Sequence, residues 1–374
     1  MTKVIVAPMV KSSIGLRNRC RTLLRSRLAS LGMVDAAIVS AAADALQREL
    51  DLIEHYDIAP LFEFFCDYAA ALARNGIPVQ AIGIAGGSMV LFASGLSHVI
   101  PPDEGLLFDH FFDGSKFYSV GRKIFLFLDV PAKISRRLVA AWERKAQSVR
   151  ANGLGVRIEC TPRRYLSLYR RLRRQHRLLS PTCVRSYWHQ LDPGKIMPTA
   201  IRYFAKDYAA ASLVAKLSPL TWNQLVLLCG RCEQRPEDVQ LLNKVAARSQ
   251  PLQNLDAETR EAQTRLLVQD TLCYREDVMA HAHREIGISP GLASRLMLAV
   301  CKQQQERIEQ FKVAFLASPD VNNRSTAEIE AEFDLVVRHA LQATSKAHAC
   351  SRALWAAYLT YAVPMARESS TIER

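Results

Sequence analysis

Between Arg74 and Asp103 the chain contains no Asp, Glu, Lys or Arg, and between Gly114 and Leu128 it contains no carboxylate. Residues 1–34 hold no acid, and no internal repeat or low-complexity segment stands out. Each gap excludes something. The charge-free run tempts a membrane assignment, yet a span needs about 20 consecutive apolar residues. Here Gly83, Gly86, Gly87, Ser88, Ser94, Gly95, Ser97 and His98 interrupt the run, and Pro78, Pro101 and Pro102 bracket it. A short strand over 79–84, a glycine turn at Gly86-Gly87-Ser88 and a helix from Met89 to Leu96 fit better. The carboxylate-free stretch leaves only Asp129 on the apolar strand expected over 123–130. The acid-free amino-terminal stretch has the composition of a transit peptide but no secretory apolar core, so a short basic arm on nucleic acid in a cytoplasmic protein is the preferred reading.

What is present is an ordinary globular composition, 49% apolar and 23% charged, long enough for one or two cores. The net charge of +13 is concentrated in two places. Lys3, Lys11, Arg17, Arg19, Arg21, Arg25 and Arg27 form the first cluster. Arg157, Arg163, Arg164, Arg170, Arg171, Arg173, Arg174 and Arg177 form the second, against a single Glu159, leaving the rest of the chain close to neutral. The second cluster reads as an amphipathic helix with Tyr165, Leu168 and Leu172 on one face. Such a stripe suits phosphate backbones without sequence preference, an acidic protein partner or simply a solvated face.

Nine cysteines, an odd number scattered through apolar segments, read as reduced, buried thiols. Cys229-Gly230-Arg231-Cys232 alone has redox or half-zinc spacing, and no second pair accompanies it. Helices are expected over 34–52, 58–75 and 138–150. Beyond Pro162 nearly everything should be helical, broken near Pro181, Pro193, Pro198, Pro236, Pro251, Pro290 and Pro319, with 249–261 as an internal linker. Strand, glycine turn and helix together are either a phosphate cradle or a tightly packed turn, and only the residues around the glycines separate the two.

Those residues carry a family resemblance. Gly76-Ile77-Pro78-Val79, Gly83, Gly87-Ser88, Gly95-Leu96-Ser97, Pro101 and Leu106-Leu107-Phe108-Asp109-His110-Phe111 resemble the palm entry of the bacterial C-family replicase, the DNA polymerase III alpha subunit. Farther on, Tyr274, Glu276, Val278, Met279, Ala293, Lys302, Lys346, His348, Ala349, Tyr361 and Pro364 fall on that family's fingers pattern. The resemblance implies an α+β, mostly helical chain: a small mixed palm-like module followed by a larger helical thumb- and fingers-like region. The expected divisions are a basic arm over 1–44, the palm-like module over 45–150, a basic thumb-like region over 151–215 and a fingers-like domain over 216–374.

The departures decide what function to expect. The family's phosphate-associated Arg and Ser are Ile82 and Ile84 here, its consecutive fingers arginines are Met297 and Leu298, its paired lysines are Lys302 and Gln303, and the Arg of its Leu-Leu-Phe-Glu-Arg run is His110. With Asp129 on the third carboxylate position, Phe125 and Phe127 replace the two metal ligands. Two-metal nucleotidyl transfer needs paired cations about 4 Å apart, and one carboxylate cannot hold them. Asp103, Glu104, Asp109 and Asp113 could rescue the site, or could cap helices and face solvent.

The expectation is therefore an inactive polymerase relative with no metal or cofactor, in which Gly83, Gly87 and Ser88 are the remnant of the nucleotide loop. Nucleic acid would be held by Arg163, Arg164, Arg170, Arg171, Arg173, Arg174, Arg177, Lys302, Lys346 and His348. Its partners would be DNA without sequence preference and, in addition, replisome or repair proteins, with no membrane. Two other functions stay open: a module that mimics the replicase to bind or displace its partners, and an active polymerase using an unrecognised site or a complementing subunit.

Overall fold

The computed structural model describes residues 10–32, 35–74, 79–106, 108, 127–129, 221–231, 236–269, 271–316 and 324–354. The chain divides into two compact units, one holding the described residues up to Phe108 with 127–129, the other holding those from 221 onward. The described residues are mostly helical, as expected. The arginines of 163–177, and Phe125, lie outside them.

In the first unit, α1 (Val10–Ser30) buries Leu16, Cys20, Leu24 and Leu28, one residue every fourth position, and shows arginines elsewhere. This segment, read above as part of a basic arm, is a packed helix. Its arginines bind across to neighbouring helices: Arg17 pairs with Asp51 at 2.7 Å and with Glu54, Arg19 with Asp67 at 2.8 Å, and Arg21 donates to Gln47 at 2.6 Å.

Helix α2 (Ala36–His55) starts where Asp35 accepts from the Ala37 N–H, and buries Ala42, Leu46, Glu49, Leu50 and Ile53. One glutamate thus sits inside an apolar stripe. Helix α3 (Ala59–Arg74) is buried almost all round, with Phe62 edge-on to Phe65 and Phe64 stacked on Tyr68. Burying side chains of this size contributes about 1.5–3 kcal/mol each, so α3 is the axis of the unit's core. Strand β1 (Gln80–Ile82), a 3₁₀ turn (Gly83–Gly87) and α4 (Met89–Ser94) follow in the expected order; the strand and helix are shorter than expected, and the turn starts earlier, taking in Gly83 and Ile84. A second 3₁₀ turn, Pro102–Glu104, holds Asp103 and a buried Glu104, and β2 (Phe127–Asp129) pairs antiparallel with β1.

The second unit is helical throughout its described residues. Helix α5 (Trp222–Gly230) opens with a capping box between Thr221 and Gln224. Helix α6 (Pro236–Ser249) begins at one expected proline break, and a 3₁₀ turn (Gln250–Asn254) holds another. Helix α7 (Ala257–Gln269) then begins inside the segment read as a linker and takes up its last residues, 257–261. Helix α8 (Arg275–Ile286) ends on left-handed Gly287, and Ser289 with Pro290 starts α9 (Pro290–Cys301). Helices α10 (Gln305–Leu316) and α11 (Thr326–Gln342) and a helical segment at 346–354, here α12, complete it. Val278, Met279, Leu296, Met297, Val300, Phe333, Val336, Ala349 and Cys350 form the core. Met297, on a position where the family pattern has arginine, is 2% exposed.

Candidate functional site

The charge-free segment builds its site around one foreign carboxyl group. After β1, Gly83 takes a left-handed φ of 70°, which lets the chain turn into the 3₁₀ segment, where Gly86 and Gly87 are buried. Ser88 caps α4, its hydroxyl accepting from the Leu91 N–H at 3.1 Å. The exposed end of such a helix is where proteins hold phosphate. Here that position is taken by Glu49, reaching in from α2. Its Oε1 accepts from the Ser88 hydroxyl at 2.5 Å and the Val90 N–H at 3.3 Å, and its Oε2 accepts from the Met89 N–H at 2.6 Å. Glu49 is 1% exposed, and burial pushes its carboxyl up to about 8 against the opposing pull of these donors. The turn is therefore closed by the chain's own carboxylate.

A second inward polar group, Arg27 of α1, holds the far end of the segment. Its Nη2 donates to the Ser97 carbonyl at 2.8 Å and to His98 Nδ1 at 3.0 Å, while its guanidinium lies 4.6 Å from the Phe92 ring centre. Because arginine only donates, Nδ1 accepts and the imidazole proton sits on Nε2, which donates to the Val79 carbonyl at 3.1 Å. Burial, with Arg27 beside it, pushes His98 down to about 3, so the ring is neutral. Gly95 ends α4 at φ 88°, and a Cβ there would come within 2.9 Å of Arg27 Nη1. Glycine is required by conformation, and a larger residue would in addition push the end of the Arg27 side chain aside.

The ribbon brings the expected positions together. Ile82 pairs with Phe127, Ala81 with Leu128 and Gln80 with Asp129. The position where the family pattern has a phosphate-associated arginine thus faces, across the ribbon, a position where it has a metal ligand, and both residues are apolar. Asp129 lies two positions along, opposite Gln80. Among the described residues no group of three or more His, Cys, Asp or Glu could hold a metal ion. No described helix is long and apolar enough to cross a membrane.

The second set of expected residues gathers in the other unit. Tyr274 bridges to Thr344, and Arg275 donates its N–H to the Thr344 carbonyl at 2.8 Å, which sets α8 beside the start of α12. Glu276 accepts from the Lys346 and Ala347 N–H groups at 2.8 and 3.1 Å and from the Ser345 hydroxyl at 3.3 Å. Glu276 and residues 345–347, 69 to 71 apart in sequence, therefore meet in a buried helix cap. Lys346 is 3% exposed, with its Nζ 3.6 Å from Asp277 and 5.8 Å from the Tyr274 ring centre, so it is an internal counterion rather than a surface cation. Burial pushes Asp277 up to about 6 despite that partner. His348 is half-buried, and burial with Arg352 nearby pushes it down to about 4. Lys302 is exposed at the end of α9. Cys229 is buried within α5, and Cys232 lies outside the described residues.

A third carboxylate repeats the device: Glu261 of α7 accepts from the Trp222 N–H at 2.8 Å and the Asn223 N–H at 3.1 Å at the start of α5. Sequence reasoning missed Glu49, Arg27, His98 and Glu261. Glu49 carried a signal, since it falls between Leu46 and Leu50 on the apolar stripe of α2.

Residues 15–117 match the model of the family described as the bacterial DNA polymerase III alpha NTPase domain. The match includes the residues of α1 from 15 onward, α2, α3, β1, α4 and the segment after it, and it relates this part of the chain to that family. No curated protein matches the chain.

Proposed function

We propose that the chain is a catalytically inactive relative of the DNA polymerase III alpha subunit that acts as a DNA-binding or scaffolding factor in DNA replication, repair or mobile-element maintenance. The observation that carries the reading is the ribbon register, in which Ile82 and Phe127 stand opposite each other where the resemblance would put a phosphate-binding cation and a metal ligand. The Glu49 cap supports it, because a triphosphate approaching α4 would meet a helix end already satisfied.

Palm-like and fingers-like roles for the two units are part of the same proposal. So are a cytoplasmic, nucleoid-associated location and replisome or repair proteins as further partners. The DNA contact is assigned to Arg163, Arg164, Arg170, Arg171, Arg173, Arg174 and Arg177 together with exposed Lys302. The arginines of α1 contribute less, since Arg17, Arg19, Arg21 and Arg27 are engaged inside the first unit.

Two measurements test the parts separately. Primer extension on a primed template with Mg²⁺ or Mn²⁺ should give no incorporation above a protein-free blank; robust incorporation abolished by Asp129→Ala would overturn the inactive reading. Mobility-shift affinity for DNA should fall steeply between about 50 and about 200 mM salt, as phosphate contacts demand. Affinity independent of salt would remove the DNA-binding half.

A further inference from the structure

We propose that α6 and α7 form a lid on α5 that opens as one body, with Leu272 as its hinge and Glu261 as its latch. Helix α6 packs chiefly onto α7 and the 3₁₀ turn between them, α7 lies on α5, and α8 to α11 pack among themselves. The lid is thinly held. Of the 13 residues of α7 only Thr264 and Val268 are buried, whereas α5 is buried from Trp222 to Cys229. One of those two brings a polar group into the contact, since the Thr264 hydroxyl is enclosed without a hydrogen-bond partner among the described residues. Leu266 of α7 is 55% exposed, and Leu255, just before the helix, is 37% exposed. Few buried apolar groups beside a well-buried neighbour are what set a locally opening segment apart from the core.

Backbone geometry marks the hinge. Leu272 has a φ of 47°, in the left-handed region that a residue with a Cβ adopts only at a cost. Just before it, the end of α7 is tied to itself, with the Thr271 and Leu272 N–H groups donating back to the Val268 and Gln269 carbonyls at 3.2 and 3.0 Å. Just after it the chain is fixed to other elements: the Cys273 carbonyl accepts from Arg231 Nη2 at 2.8 Å and from the Thr344 N–H at 3.2 Å. A strained residue thus separates a self-contained helix end from a residue held on two sides. Such strain persists only where the surroundings impose it, and opening releases it. The latch opposes that release. From the middle of α7, Glu261 accepts from the Trp222 and Asn223 N–H groups at 2.8 and 3.1 Å, so one carboxylate ties the lid to the start of α5. Opening uncovers that end of α5, where Trp222 is 3% exposed in the closed form.

Native-state hydrogen exchange of the full chain, read by overlapping peptides in urea below the unfolding transition, decides the matter. The expected result is exchange in α6 and α7 about tenfold or more faster than in α8 to α11, with a weaker urea dependence. The boundary should fall at Leu272: peptides ending before it follow the lid, and peptides starting after it follow α8. Glu261→Ala should speed exchange in the lid by a further factor of about ten, Glu261→Gln, which keeps one acceptor oxygen, by less, and both should leave α8 to α11 at the wild-type rate. Lid peptides that exchange only together with the rest of the second unit would overturn the proposal. So would a Glu261→Ala chain whose lid exchanges no faster than wild type, or one in which the rise spreads evenly over the unit. The wild-type profile is decisive by itself where a variant fails to fold.

Discussion

The two units use the same device with different electrical support. In the first, Glu49 of α2 caps α4; in the second, Glu276 of α8 caps α12, and each carboxylate takes two backbone N–H groups and a serine hydroxyl. Both residues are buried. Around Glu276 the chain supplies a buried ion pair, Lys346 with Asp277, on the same two helices. Glu49 has no cation among its hydrogen-bond partners, and burial dominates its titration. A helix end can thus be satisfied by a remote carboxylate either within an ionic cluster or at the cost of desolvating a lone acid. The lone acid stands where a phosphate-binding turn would otherwise be open.

Removing the caps should have the largest effect. Glu49→Ala leaves two buried N–H groups and a hydroxyl without their acceptor, at about 1–3 kcal/mol for each group. It should unfold or severely weaken the first unit while hydrogen exchange in α8–α12 stays at the wild-type level. Glu276→Ala should do the reverse. A change spread evenly over both units in either variant would break the comparison, because each cap would then not be local to its unit.

Gly95→Ala comes next. It forces a left-handed non-glycine residue and crowds Arg27, costing about 1–3 kcal/mol in the first unit by denaturant unfolding followed by hydrogen exchange. A neutral outcome would mean that Arg27 moves aside freely, and the Arg27–Ser97 contact would lose its assigned role.

The pH response sharpens the comparison further. Glu49, raised from 4.5 to about 8, contributes stability that is complete below pH 4.5 and lost as pH rises toward 8. His98, lowered from 6.5 to about 3, contributes stability that is complete above pH 6.5 and lost as pH falls toward 3. Their opposite slopes cancel between 4.5 and 6.5, so these two groups give the first unit a plateau there with a fall on either side. In the second unit, Asp277 loses stability as pH rises from 3.8 to about 6, and His348 loses it as pH falls from 6.5 to about 4. Those windows nearly coincide, so they offset each other and leave little net slope. Unit-resolved hydrogen exchange across this range should show the plateau and both flanks in the first unit and a flatter profile in the second. Glu49→Gln should remove the alkaline flank and turn the plateau into a continued rise up to pH 6.5, the slope of His98 alone.

The smallest effect belongs to the surface ion pairs of α1. Arg17→Ala should cost the first unit about 0–1 kcal/mol, less at high salt. A loss of several kcal/mol would show that α1 is held by its arginines rather than by Leu16, Leu24 and Leu28.

Much of the frame was legible in the chain itself. Helices α2 and α3, β1 and α4 followed from ordinary periodicity and from the glycines, and Pro236 and Pro290 marked helix starts as proline does at a first turn. Helix α1 was hidden because its apolar stripe is one residue wide among arginines, and net charge outweighed it in the reading. The polar run at 249–261 read as a linker because its chief contact, Glu261 with the start of α5, is long-range and leaves no local pattern. For the same reason the caps were invisible: Glu49 meets Ser88 across 39 residues and Glu276 meets Lys346 across 70. Lys346 carried a further lesson, since a cation on a family motif suggested a nucleic-acid contact while folding placed it against Asp277.

The most direct test of the proposed polymerase-like frame without its chemistry is calorimetric titration of the full chain with a deoxynucleoside triphosphate and Mg²⁺. The expected result is no saturable binding, and none gained on adding primed DNA. Saturable, Mg²⁺-dependent binding that disappears in Asp129→Ala would contradict it.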